Sequence, residues 1–114
     1  MRIILFAAAA LALSSGLAFA DDIMASRYGN TTIATEANGT TTKLYYKAGG
    51  TFTGNQGDMS FAGTWKIDGD KICLHFDKPV PGYAEPFCPP VVAHKVGDTW
   101  TAAGRKVSLV KGIQ

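Results

Sequence analysis

"GTWKIDGDKICLHFD", residues Gly63 to Asp77, decides the fold class of this chain. Two runs rich in aromatic and β-branched residues flank a Gly-Asp cluster, which is the sequence form of a tight β-hairpin. Side chains alternate faces along a strand, so a correct turn must set apolar residues opposite apolar residues. With Asp68-Gly69 as the turn, Trp65 faces Ile72, Gly63 faces Leu74 and Phe61 faces Phe76. Moving the turn to Gly69-Asp70 shifts every partner by two and keeps the faces, so the register at 68–70 stays open.

The same parity test extends outward. In "NTTIATEANGTTTKLYY", Asn38-Gly39 has the preferred residues of a two-residue type I′ turn. That turn pairs Ile33 with Leu44 and Thr31 with Tyr46. In "LYYKAGGTFTG", a three-residue loop Ala48-Gly49-Gly50 with Gly50 left-handed pairs Tyr46 with Phe52. Near the C-terminus, a type II′ turn at Gly104-Arg105 pairs Ala102 with Val107 and Trp100 with Leu109. Each hairpin yields one apolar face, and no 12-residue window has an apolar period of 3.6, so little helix is expected. The reading is all-β. An antiparallel meander of about eight strands (30–37, 40–47, 51–55, 59–67, 71–77, 87–94, 98–103 and 106–111) forms a small curled barrel or half-barrel. A two-sheet sandwich is the alternative.

Cys73 lies on the face of its strand opposite the apolar set, with Lys71, His75 and Asp77. Its only possible partner is Cys88, and an even cysteine count in an exported chain reads as a disulfide. Between them runs "DKPVPGYAEPF", whose prolines and glycine make an irregular loop rather than a strand. A bridge would clip this loop to the sheet and contribute ~3 kcal/mol by chain entropy. Neither a Cys-x-x-Cys spacing nor a companion His pair supports a redox or zinc site. Pro89 and Pro90 confine the segment that follows to an edge, or delay its start.

Residues 1–20 form a secretory signal pattern: basic Arg2, an apolar run from Ile3 to Leu13, and Ala18-Phe19-Ala20 before Asp21. The run is shorter than the ~20 residues of a spanning helix. Cleavage leaves 94 of the 114 residues, as one β-domain over 21–114, with ten basic and nine acidic residues. No clustered basic surplus points to nucleic acid, and no later stretch is apolar for long enough to cross a membrane as a helix. The expected location is the periplasm or the medium.

"GNTTIATEANGTTTKLYYKAGGTFTG", "GTWKIDGDKICL" and "HKVGDTWTA", with the closing "VSLVKG", resemble a group of small exported proteobacterial proteins of unknown function. The resemblance covers nearly the whole chain after the leader. It implies a periplasmic β-domain with one disulfide, and it carries over no catalytic or ligand residue. A looser similarity, through Gly63-Thr64-Trp65, is to lipocalin-like sheets, although there the tripeptide sits in an early strand and here it is mid-chain.

Chemistry-bearing motifs are sparse. Asp68-Gly69-Asp70 lacks the remainder of a calcium loop. Ser26, Ser60 and Ser108 are not in a nucleophile elbow, and "KAGGTFTGNQG" lacks the Lys-Ser/Thr of a phosphate loop. His75 with Asp77 and Glu85 is the one cluster with the groups for an enzyme site, and His94 is placed at an exposed strand end. Phe52, Phe61, Trp65, Phe76 and Trp100 are assigned to the core. Tyr45 on the outer face, Tyr83 at the tip of the proline-rich loop, and His75 are the candidate contacts for a partner or ligand. No cofactor or metal ligand is assigned. The functional expectation is a non-enzymatic exported domain that binds a small molecule or an envelope protein. An enzyme around His75, Asp77 and Glu85, or a purely structural envelope protein, are the alternatives.

Overall fold

The computed structural model describes residues 23–114, so the leader reading lies outside the described residues. Seven antiparallel strands form one sheet: β1 Thr31–Thr35, β2 Thr41–Lys47, β3 Thr51–Gln56, β4 Met59–Asp68, β5 Lys71–Phe76, β6 Thr99–Ala102 and β7 Arg105–Val110. Their order is β5-β4-β3-β2-β1-β7-β6, and the sheet curls into a half-barrel. It is one curled sheet and not a two-sheet sandwich. A turn of 3-10 helix, Ala25–Arg27, precedes β1. Among the described residues no helix is long and apolar enough to cross a membrane.

The hairpin registers follow from the turns. The loop Ala48-Gly49-Gly50 sets Tyr46 opposite Phe52, as expected, with both glycines at positive φ. The β4–β5 turn is Gly69-Asp70, which pairs Trp65 with Leu74 and Ile67 with Ile72. The β6–β7 turn falls one residue earlier than expected. Ala103 (φ 53°) and Gly104 (φ 76°) form it, and Trp100 meets Val107. The apolar faces survive both choices.

The first hairpin does not follow its expected register. Glu36 N–H donates to Thr40 O and Gly39 N–H to Glu36 O, both at 2.9 Å, so the loop has three residues and Gly39 (φ 89°) closes it. Thr32 now faces Leu44, and Ile33 faces Lys43. One extra loop residue flips every side chain of β1. Thr32 and Ala34 turn inward and are buried, and Ile33 is left half-buried on the outer face. β1 is also held by β7, where Ala34 faces Val107 and Thr32 faces Leu109. The neighbours on both sides therefore select the same inner face.

The expected eighth strand, 87–94, is replaced by a segment that pairs with β5 only through residue 91. Phe87 and Leu74 exchange both backbone hydrogen bonds (2.8 and 3.0 Å). Ile72 N–H donates to Pro89 O at 3.0 Å and Val91 N–H to Asp70 O at 2.9 Å. The bonded pairs 74/87, 72/89 and 70/91 alternate as in an antiparallel ladder. Pro89 stands at a bonded position without an N–H to return, so the ladder reduces to isolated bridges. Pairing thus runs through the prolines rather than starting after them.

Aromatic rings fill the β3–β5 side of the interior. Phe52, Phe61 and Phe76 pack edge-to-face with centroids 5.6–6.4 Å apart. Glycine makes the space for them. A Cβ at Gly63 would lie 2.0 Å from His75 O and 2.8 Å from the Phe52 ring, and one at Gly54 2.6 Å from the Phe61 ring. Ile23 and Met24, both buried, join the same core.

Candidate functional site in the half-barrel interior

The inward side chains differ in size around the sheet. Large rings project from β2 to β5, whereas β1 contributes Thr32 and Ala34, and β6 contributes Ala102 beside Trp100. Small residues facing large ones across a curled sheet leave space between them. The result is a cavity of about 60 Å³. Its apolar wall includes Leu44, Leu74, Phe87, Val91, Trp100 and Val107. A groove of about 300 Å³ adjoins it between residues 90–94 and β6, and shares Arg27, Pro90, Val91, Trp100 and Ala102 with it.

Arg27 is the unusual member of this wall. It is 5% exposed. Nη1 donates to Ile23 O at 2.7 Å and Nη2 to Val92 O at 3.1 Å, and the guanidinium carbon lies 5.6 Å from the Trp100 ring centroid. No carboxylate among the described residues lies within ion-pair distance of it. Burial pushes its pKa below the ordinary value, because removing a cation from water disfavours the charged form. Burial also pushes the Tyr46 hydroxyl up, which keeps it neutral beside the cavity.

Two hydroxyls in the cavity wall are buried without a hydrogen-bond partner among the described residues, Thr32 Oγ1 and Tyr83 Oη. His94 lines the adjoining groove. Its ring stacks on Trp100, with centroids 3.5 Å apart and planes 9° from parallel. Nδ1 lies 3.2 Å from Asp98 Oδ2, while Nε2 is buried and unpartnered. The Lys95 backbone N–H, and then His94, hold the Asp98 carboxyl below its usual range. Orphaned buried polar atoms are uncommon in native structures and mark sites where a ligand or water completes the bonding.

The contacts expected from sequence are distributed differently. Tyr83 is not at an exposed tip. Its ring packs on Phe76 (5.7 Å) and Phe87 (4.9 Å), beneath the Arg105 guanidinium at 4.2 Å. Arg105 also donates to Gly82 O and Ala103 O, and so holds the proline-rich loop down against β7. Tyr45 is on the outer face, where its hydroxyl accepts from Asn55 Nδ2 at 3.2 Å. His75 meets Glu85 at 3.0 Å, and both side chains are about half exposed (49% and 50%). Asp77 does not join them. It accepts from Ala62 N–H at 3.1 Å on the neighbouring strand. Among the described residues no group of three or more His, Cys, Asp or Glu side chains converges as metal ligands do.

His94, expected to be exposed, is 15% exposed at its side chain. Arg27, Thr32 and His94 are the residues that sequence reasoning did not select. Arg27 is the only basic residue between Arg2 and Lys43, in a stretch with no strand pattern. Nothing in its spacing reveals that the segment bearing Val92 will cover it. No protein-family model, curated protein or solved structure matches the chain.

Proposed function

We propose that this protein is a non-enzymatic exported domain, acting in the periplasm or outside the cell, that binds a small molecule inside its half-barrel. The observation that carries the reading is the hollow on the β1–β6 side. Small residues leave it apolar and open to the groove by Arg27 and Trp100. Ligand sites are typically apolar concavities with a few convergent polar groups, and this interior has both. The disulfide accords with an oxidising compartment.

Size limits the occupant. An apolar cavity of about 150 Å³ takes up benzene, so a space of about 60 Å³ holds a few heavy atoms. A longer ligand would place one end in the cavity and the rest in the groove. A purely structural envelope protein would be expected to have a filled interior. An enzyme centred on His75 is disfavoured by the engagement of Asp77 with Ala62.

Titration with 1-hexanol, followed by methyl NMR, tests the proposal. Saturable shifts are expected at Leu44, Leu74, Val91 and Val107, with Val96 and Ile113 unmoved. Absence of saturable shifts at the interior methyls, or equal shifts at exposed ones, would remove it.

A further inference from the structure

We propose that the ligand of this interior is a small monocarboxylate with an apolar tail, whose head group is held by Arg27 at the junction of cavity and groove. The inference rests on the interior-binding reading above and adds the charge and shape of the head group.

The first ground is an uncompensated buried cation. A guanidinium has five N–H donors in a rigid fork. Two contacts to it are accounted for, by the Ile23 and Val92 carbonyls. Carbonyls offer dipoles and no countercharge, and a buried charge without a partner is costly. Arg27 belongs to the lining of both the cavity and the groove. A carboxylate there would restore neutrality and would match the remaining N–H groups in plane.

The second ground is independent of Arg27. Thr32 is 6% exposed, and its Oγ1, in the cavity wall, has no partner among the described residues. His94 Nε2, in the groove wall, has none either. The His94–Asp98 contact favours a proton on Nδ1. A ligand head group that reaches from Arg27 into the groove would give Nε2 the partner it lacks. Thr32 supplies one further hydroxyl donor to the anion.

Phosphate fits less well. Its tetrahedral oxygens call for donors on several sides, whereas here the one fork, Arg27, stands among side chains that are mostly apolar. The hollow next to Arg27 suits a short hydrocarbon tail.

The experiment compares hexanoate, hexanamide, 1-hexanol and inorganic phosphate on the full mature protein, by methyl NMR and Trp fluorescence. Hexanoate is expected to bind roughly tenfold more tightly than the amide or the alcohol, as an ion pair replaces an ion–dipole contact. Phosphate is expected not to compete. Equal affinity of hexanoate and hexanamide overturns the carboxylate proposal and leaves interior binding intact. Failure of all three hexyl probes removes both, and phosphate binding in place of hexanoate overturns the assignment of the head group. Arg27→Lys keeps the charge and loses the fork, and is expected to reduce hexanoate affinity roughly tenfold with hexanol unchanged. Thr32→Val is expected to reduce it by about threefold. If both variants bind hexanoate as the wild type does, the head group lies elsewhere and the proposal fails. The wild-type comparison decides the matter even where a variant does not fold.

Discussion

Cys73 and Cys88 face each other directly across the pairing of β5 with residues 87–91, with Cα atoms 4.1 Å apart. They occupy a non-hydrogen-bonded position, flanked by the bonded pairs Leu74–Phe87 and Ile72–Pro89. The bond thus secures the place where Pro89 weakens the ladder. Residues Phe87, Pro89, Pro90 and Val91 are also one wall of the cavity. Replacing both cysteines with alanine is expected to cost ~3 kcal/mol in urea unfolding. Faster amide exchange should appear at Phe87 and Val91 while the β1–β4 amides keep their relative protection. A reductant that leaves the unfolding midpoint unchanged would refute the role of the bridge.

Gly63 is expected to be the least replaceable residue of β4. Alanine there would place a Cβ 2.0 Å from His75 O, a backbone atom that cannot rotate away. Gly63→Ala should destabilise the fold by about 2–4 kcal/mol, whereas Thr64→Ala, at an exposed neighbour, should cost under about 1 kcal/mol. Equal effects in chemical denaturation would show that the ring packing on Gly63 is looser than described.

Two carboxylates contribute to the loss of stability in acid. The Phe76 backbone N–H, with a smaller contribution from His75, holds Glu85 below its ordinary 4.5. Lys95 N–H and His94 hold Asp98 below 3.8. A depressed folded-state pKa adds stability that is complete above the unfolded value and is lost as pH falls towards the folded one. The wild type should therefore lose stability from about pH 5 downward. Glu85→Gln with Asp98→Asn should flatten that slope and lower stability at about pH 6. An unchanged slope in the double variant would show that these contacts are not kept in solution.

Arg105 is expected to control the proline-rich loop. It donates to Gly82 O and covers Tyr83 and Phe87 at 4.2 and 5.1 Å. Arg105→Gln should speed exchange of the Tyr83 amide, which donates to Val80 O, and leave β2 and β3 unaffected. Exchange that does not change would mean the ring packing alone retains the loop.

Much of the sheet was legible because turn residues and face parity agree. Tyr46–Phe52 was placed correctly because Gly50 supplies the left-handed residue that closes a three-residue loop between Lys47 and Thr51. At β4–β5 two registers obeyed parity, and the sequence could not separate Asp68-Gly69 from Gly69-Asp70. At β1 the pattern was weak. Ile33 is its only large apolar residue, and Asn38-Gly39 fits a two-residue or a three-residue loop. The actual loop sends Ile33 outward and admits Thr32, which is how a hydroxyl enters the cavity. The site was less legible than the sheet. Arg27 becomes part of it only after the disulfide-clipped segment brings Val92 over it, and that is a tertiary event with no local signature.

The hollow itself is tested most directly by filling it. Ala34 is 5% exposed and lies on the cavity wall. In a packed core, Ala34→Leu would overpack and cost about 1–3 kcal/mol. In a hollow half-barrel the added carbons occupy free space. The unfolding free energy of Ala34→Leu should equal or exceed that of the wild type, and hexanol should no longer shift Leu44 or Val107. A loss of about 1–3 kcal/mol, with hexanol still bound at those methyls, would contradict the account.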